Sequence, residues 1–125
     1  MKVLIVDDSK LARMAVAKAL NAVRPDWTRV EASNADEALA MVKSTDPDIA
    51  LFDFNMPGRD GLALAAEVRG FNPAMPVALI SANHQQEVVD RALALGAVFL
   101  PKPLTEKALR DFISSAEQKL KTVGA

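Results

Sequence analysis

Short apolar runs alternate five times with longer apolar stripes at helical spacing, and this alternation constrains the fold more than any other feature. Four of the runs are continuous and cover residues 3–6, 49–52, 77–80 and 97–100, whereas the remaining one, residues 28–32, alternates between apolar and polar side chains. Continuous apolar runs are typical of parallel strands that are covered on both faces. Parallel neighbours need crossover connections, and right-handed crossovers place helices on both sides of the sheet. The sequence therefore predicts an α/β fold, a doubly wound five-stranded parallel sheet with five helices.

Helix boundaries follow from capping residues between the runs. Ser9 and Thr105 are placed to cap the first and last helices, and Asn34 with Glu37 forms a capping-box pattern before the second. Gly96 is a natural C-terminal glycine for the fourth helix. At 125 residues, half of them hydrophobic, the chain predicts a single domain over residues 1–125.

Composition narrows the classes of function. The net charge is −1, from 15 basic and 16 acidic residues, without a basic block, so direct binding of nucleic acid is not expected. There is no cysteine, which excludes disulfides and thiolate metal sites. The first apolar run meets Asp7-Asp8 too soon for a signal peptide or a membrane span, so we expect a cytoplasmic protein without membrane contact.

Polar residues with a common chemistry stand at the ends of the predicted strands. They are three carboxylates, one hydroxyl and one ammonium, from Asp7, Asp8, Asp53, Ser81 and Lys102. The carboxyl ends of parallel strands meet at one edge of the sheet, which is where open α/β sheets bind ligands. Taken singly, each residue is more simply explained as a turn, cap or solvated loop residue, and only the joint placement favours a site. Carboxylates that lie close together repel one another, so they favour a bound cation. Mg²⁺ suits such a site because it is a small, hard ion that binds few carboxylates and also binds phosphate oxygens.

These residues lie in segments that resemble the receiver domain of two-component response regulators over essentially the whole chain. The resemblance is carried by Asp7-Asp8, by residues 53–61 (DFNMPGRDG), by Ser81-Ala82 and by residues 99–103 (FLPKP). It implies a flavodoxin-like strand order of 2-1-3-4-5, which would place the first and third strands side by side.

The resemblance also implies roles for individual residues. Asp53 would be the phosphoacceptor, taking a phosphoryl group from a histidine kinase or a histidine phosphotransfer protein. Asp7, Asp8 and Asp53 would hold Mg²⁺ together with the backbone carbonyl of Asn55. Lys102 and Ser81 would contact the phosphoryl oxygens, with a cis bond between Lys102 and Pro103. No other cofactor is implied.

Signalling is the further implication of the resemblance. Phosphorylation would give Ser81 and Lys102 a partner that they lacked, Ser81 would move toward the site, and Phe99 would swing inward. The face made by the fourth helix, fifth strand and fifth helix would then change toward a downstream protein target, a covalently linked output domain or a second copy of the chain. Asn55 and Asn83 would flank the path of the hydrolytic water and so set the lifetime of the phosphoryl group.

Two other classes of function stay open from the residues. An Asp nucleophile with Mg²⁺ also fits an aspartyl phosphatase of the haloacid dehalogenase type, although that family wants a second Asp where Asn55 stands. The other alternative is a receiver-like interaction module that acts without phosphorylation. On the leading hypothesis the chain is not an enzyme, because it would catalyse only its own phosphoryl transfer and autodephosphorylation. Lys10, Arg13 and Lys18 are interpreted as a solvated helix face that would also suit docking of an acidic partner.

Overall fold

The computed structural model describes residues 1–56, 58, 60–82 and 85–124, with side chains as far as residue 121. Its strands are β1 (Lys2–Val6), β2 (Thr28–Ala32), β3 (Ile49–Asp53), β4 (Val77–Ser81) and β5 (Val98–Pro101). Its helices are α1 (Lys10–Val23), α2 (Ala35–Thr45), α3 (Gly61–Phe71), α4 (Gln86–Ala94) and α5 (Glu106–Gly124). Strand and helix alternate along the chain, as the sequence predicts.

The five strands form one parallel sheet in the order β2-β1-β3-β4-β5. The predicted fold class and strand order are therefore confirmed. The β3 and β4 strands extend one residue beyond their apolar runs, so that Asp53 and Ser81 are the last residues of their strands. A polar residue can hold the last ladder position because its side chain turns toward the open edge of the sheet.

The sheet separates two hydrophobic clusters, because side chains alternate between its faces. Leu4, Phe52 and Leu79 belong to one cluster, which α2 and α3 cover together with Ala92 of α4. Ile5, Leu51 and Ile80 belong to the other, which α1 and α5 cover. All five residues of β3 and of β4 are buried, and these central strands fix the position of the site at their carboxyl ends.

The predicted helix caps are present. Ser9 Oγ accepts from the Ala12 amide at 3.2 Å, and Thr105 Oγ1 accepts from the Ala108 amide at 3.1 Å. Gly96 has a φ of +74°, a left-handed conformation that glycine adopts without a steric penalty.

The capping box of α2 differs in one detail from the sequence pattern. Asn34 Oδ1 accepts from the Glu37 amide at 2.8 Å, as predicted. Glu37 Oε1 reaches one residue further back than the cap and accepts from both the amide and the hydroxyl of Ser33, each at 2.8 Å. Ser33 therefore supplies two donors to one carboxylate oxygen.

Within the described residues, none of the helices has both the length and the hydropathy that a membrane span requires.

Candidate functional site

Strand order brings the predicted site residues to one edge of the sheet. Asp7 follows β1, Asp53 ends β3 and Ser81 ends β4. The β1 and β3 strands are neighbours, with Val6 opposite Phe52, so the residues that follow them emerge side by side. Lys102 follows β5, and its backbone N–H donates to the Ser81 carbonyl at 3.0 Å.

Three carboxylates converge at this edge. One carboxylate oxygen from each of Asp7, Asp8 and Asp53 lies within 4.8 Å of the other two. Asp7 and Asp53 are 5% and 4% exposed, whereas Asp8 is open to solvent. The ammonium nitrogen of Lys102 lies 2.7 Å from Asp53 Oδ1. Three negative charges against one positive charge leave an excess that one divalent cation would balance.

Burial raises the pKa of Asp7 above its ordinary value of 3.8. The negative charges of Asp53 and Asp8 raise it further, while the Ser9 amide and the Lys102 ammonium act in the opposite direction. The Ser9 amide donates to Asp7 Oδ1 at 2.9 Å. Ionisation of Asp7 therefore costs free energy in the folded protein, because desolvation disfavours the charged form.

The donor set fits a hard divalent cation. All three carboxylates offer oxygen, which is the ligand type that Mg²⁺ and Ca²⁺ prefer. Among the described residues, Asp53 Oδ1 is a buried oxygen that accepts no hydrogen bond of standard geometry, and the Lys102 ammonium is its close charged neighbour. One ammonium beside three clustered carboxylates leaves their negative charge only partly balanced, so a bound cation would stabilise this group, since incompletely balanced buried charge is costly.

One expectation about Ser81 and Lys102 is corrected by the structure. Both were expected to lack a partner until the site is phosphorylated, but Ser81 is not without a partner, and Lys102 already pairs with Asp53. The ammonium is drawn there because the buried carboxylate is the strongest attraction within its reach. The bond from Lys102 to Pro103 is cis, as the resemblance implies.

Arg13 is placed differently from the sequence interpretation. Its side chain is only 16% exposed, and it turns inward instead of lying on a solvated face with Lys10 and Lys18. Its Nη1 donates to the Asp7 carbonyl at 2.7 Å and its Nε to Glu31 Oε1 at 3.1 Å. The sequence signal that could have indicated this contact is a positively charged residue in the first turn of α1, within reach of the Asp7-Asp8 segment.

Gly61 is a second residue whose role the sequence reading missed. It begins α3, and its amide donates to the Phe54 carbonyl at 2.9 Å. A Cβ at this position would collide with the Asp53 carbonyl oxygen and lie 3.0 Å from Leu79 Cδ2. The absence of a side chain lets α3 start directly against the end of β3. The sequence signal was a glycine at the first position of a helix, where alanine is intrinsically better.

The remaining predicted residues have varied surroundings. Ser81 is 1% exposed and lies at the site edge, whereas Asn55 is exposed in the loop after β3. Phe99 is half-buried on β5. Asn83 lies outside the described residues, as do Pro57, Arg59, His84 and Ala125.

The fold and the edge cluster together define a flavodoxin-like α/β protein with an acidic pocket suited to a metal ion. More specifically, the chain belongs to the response regulator receiver domain family, whose model matches residues 3–114. This match confirms the family resemblance seen in the sequence. It places the chain among the receiver domains of two-component response regulators.

Individual relatives agree with this assignment. The chain is 38% identical over 122 residues to the positive alginate biosynthesis regulatory protein of Pseudomonas aeruginosa, covering 94% of this chain and 48% of that protein. It is 32% identical to the chemotaxis protein CheY of Halobacterium salinarum, covering 90% of this chain and 93% of that one. The signal receiver domain of the response regulator NarL from Mycobacterium tuberculosis superposes with a TM-score of 0.81 at 36% identity, covering 93% of this chain and 95% of that one.

The relatives differ in length. The chain spans 48% of the Pseudomonas regulator, about half its length, but nearly all of the Halobacterium protein. A receiver of this size therefore occurs in the family both with and without further sequence attached.

Proposed function

We propose that this receiver domain accepts a phosphoryl group on Asp53 from a phosphohistidine partner in an Mg²⁺-dependent reaction, and that the modification switches a protein-interaction surface. The observation that carries the proposal is the convergence of three carboxylate oxygens within 4.8 Å beside the Lys102 ammonium. Membership of the receiver family supports it.

Asp53 is the carboxylate best suited to act as the nucleophile. It ends the central strand β3, and its Oδ1 lacks a hydrogen-bond donor of standard geometry among the described residues. In the transfer, a bond forms from a carboxylate oxygen to phosphorus while the bond from phosphorus to the imidazole nitrogen breaks, and the imidazole keeps that electron pair. Covalent catalysis by a carboxylate is ordinary phosphoryl chemistry.

The other site residues would bind and orient the reacting group. Asp7, Asp8 and Asp53, with the Asn55 carbonyl, would hold Mg²⁺, which when bound neutralises charge on the transferring oxygens. Lys102 would exchange its carboxylate partner for a phosphoryl oxygen of the modified Asp53. The Ser81 hydroxyl would donate to another of these oxygens, and the small Ala82 beside it leaves space for the group.

The switch would operate through β4 and β5. Ser81 and Lys102 are linked through their backbones at 3.0 Å, so a shift of either residue is transmitted to the other strand. Phe99 is half-buried on β5, so its side chain would become more buried if it moved inward. A ligand shifts a two-state equilibrium only through different contacts in the two states, and a phosphoryl group on Asp53 supplies such contacts.

The partners follow from this scheme at the level of class. We propose a histidine kinase or a histidine phosphotransfer protein as donor, and a protein target or a linked output domain as receiver of the signal, in the cytoplasm. A homodimer through α4, β5 and α5 is one form that the output would take. The chain would act on no separate substrate, beyond catalysing its own phosphorylation and dephosphorylation.

Phosphorylation is tested by incubating the protein with a small acyl phosphate and measuring its intact mass. We expect Mg²⁺-dependent gain of one phosphoryl group that is lost in Asp53→Asn, because the amide is not a nucleophile of this kind. Lys18→Gln, an exposed substitution on α1, serves as the control and should label normally. Labelling that survives in Asp53→Asn would contradict the proposal.

The switch is tested by amide hydrogen exchange with and without fluoroberyllate, a mimic of the acyl phosphate. We expect exchange to change in β5 and at the facing ends of α4 and α5, and to stay constant in β2. Equal exchange in both states, at saturating mimic, would favour the alternative module that acts independently of phosphorylation.

A further inference from the structure

Arg13 contacts the peptide that joins two of the clustered carboxylate residues. Its Nη1 donates at 2.7 Å to the Asp7 carbonyl oxygen, which belongs to the peptide between Asp7 and Asp8. That peptide is planar, so a hydrogen bond to its oxygen fixes the orientation of the whole unit. The directions in which both carboxylates leave the chain depend on that orientation.

The remaining contacts of Asp7 show that this segment is closely held. The Asp7 amide donates to the Ala32 carbonyl at 3.2 Å, and Asp7 Oδ1 accepts from the Ser9 amide at 2.9 Å. Arg13 adds the third restraint, on the carbonyl side. Asp8 is exposed and therefore depends on the peptide orientation more than on packing for its position.

Glu31 holds the other side of the guanidinium. It lies on β2, and its Oε1 accepts from Arg13 Nε at 3.1 Å. Glu31 is opposite Ile5 in the parallel ladder, so the ion pair ties α1 to the edge strand next to β1. The half-exposed carboxylate contributes little energy by itself, but it restricts the direction in which the guanidinium points.

We infer that Arg13 is a positioning residue for the metal site, acting by fixing the peptide between Asp7 and Asp8 so that both carboxylates face one cation. The inference rests on the proposed function. The Arg13 side chain contacts the Asp7 carbonyl and Glu31, so it would act on the metal through the peptide and not by direct contact. It acts as an outer-shell residue, and outer-shell residues orient metal ligands in many sites.

Arginine is required here for a geometric reason. Two different nitrogens of one planar group reach two separate acceptors, one just after the end of β1 and one on β2. The donors of a lysine ammonium all lie on one nitrogen, so they cannot occupy the two separate positions from which Nη1 and Nε reach these acceptors. Arg13→Lys therefore keeps the positive charge and loses the restraint, which separates an orienting role from a simple electrostatic one.

The test is a calorimetric Mg²⁺ titration of the whole chain for wild type, Arg13→Lys, Arg13→Gln and Lys18→Gln. We expect both Arg13 variants to raise the Mg²⁺ Kd by about tenfold, the lower end of measured outer-shell effects. Lys18→Gln removes one positive charge from the exposed side of the same helix and should bind as wild type does.

The second measurement is the melting temperature with and without Mg²⁺. The metal-free value shows whether Arg13 stabilises the fold independently of the metal. We expect the rise in Tm that Mg²⁺ produces to shrink in both Arg13 variants, whatever happens to the metal-free Tm. Wild-type Mg²⁺ affinity in Arg13→Lys would overturn the orienting role, and should Arg13→Gln not fold, Arg13→Lys decides alone. No Mg²⁺ binding by the wild type would instead contradict the proposed function and this inference with it.

Discussion

The site brings together charged side chains whose burial and mutual repulsion lower the stability of the folded protein. Asp7 is buried beside two other carboxylates, and burial raises its pKa. An acid with a raised pKa destabilises the folded state while it is ionised. The cost is present at neutral pH and disappears as the pH falls below the ordinary value of 3.8.

Asp7→Asn is therefore expected to stabilise the metal-free protein at neutral pH. The amide removes the buried charge and keeps an oxygen for the Ser9 amide, so the gain should be roughly 0.5–2 kcal/mol, the size of other stabilising single substitutions. Asp8→Asn is the matched comparison and should gain less, because Asp8 is exposed. Urea denaturation in the presence of a chelator measures both. A loss of stability in Asp7→Asn would show that the carboxylate is not strained by its neighbours.

The residues of the site were predictable to different degrees. Asp7, Asp53 and Lys102 could be found from sequence because each follows an apolar run, and strand ends meet at one edge. The contact of Arg13 had only a weak signal, a cation in the first turn of α1, because such a side chain can turn either to solvent or inward and the tertiary structure decides which. The existing pair between Lys102 and Asp53 depends on side-chain reach and was missed for the same reason.

Elements are held at the site by close backbone contact, and Gly61 is the clearest case. Gly61→Ala places a Cβ against the Asp53 carbonyl, so either α3 or the end of β3 must move. We expect a loss of about 1–3 kcal/mol in unfolding free energy, as for other overpacked sites, together with weaker Mg²⁺ binding.

Gly70→Ala is the control on the same helix. Gly70 has nothing within 4 Å of the added Cβ, so alanine should stabilise α3 by roughly 0.5–1 kcal/mol. Urea midpoints of the two variants should thus move in opposite directions. A neutral Gly61→Ala would mean that α3 is free to adjust at its start.

The start of α2 gives a pH-dependent prediction. Two hydrogen bonds from Ser33 hold the pKa of Glu37 below its ordinary value of 4.5. Its contribution to stability is therefore complete above 4.5 and is lost as the pH falls through the lowered pKa. Glu37→Gln should be less stable than wild type at neutral pH, with the difference vanishing in acid. Ser33→Ala removes the hydroxyl donor but keeps the amide donor, so it should lose only part of the stability that Glu37 contributes. If Glu37→Gln is still less stable than wild type in acid, that contribution does not come from the ionised carboxylate.

Element order and type were well predicted, and the departures have local causes. Asp53 and Ser81 join their strands because the ladder continues one residue past the last apolar side chain. Glu37 bonds to Ser33 and not to Asn34 because the long side chain can reach either amide. Such alternatives differ by little in free energy, and the sequence pattern does not distinguish them.

The two hydrophobic clusters pack on opposite faces of the same sheet, so we expect the chain to unfold in a single cooperative transition. Leu64 is fully buried on α3 in the first cluster, while Trp27, the one tryptophan, packs against the second. Leu64→Ala should cost about 2–5 kcal/mol, and tryptophan fluorescence should follow circular dichroism through the same midpoint.

Leu11→Ala is the control for that experiment. Leu11 is 78% exposed, so its replacement should change the unfolding free energy by less than about 0.5 kcal/mol. Two separated transitions in Leu64→Ala would show that the two faces of the sheet unfold independently.

The central claim is that Asp53 receives the phosphoryl group while its neighbouring carboxylates serve the metal. The most direct measurement is tandem mass spectrometry of peptides from protein treated with an acyl phosphate and Mg²⁺, read at Asp7, Asp8 and Asp53. The account predicts a single modified residue, Asp53, and no modification when Mg²⁺ is chelated. A phosphoryl group found on Asp7 or Asp8, or an unmodified Asp53 under conditions where Mg²⁺ binds, would contradict it.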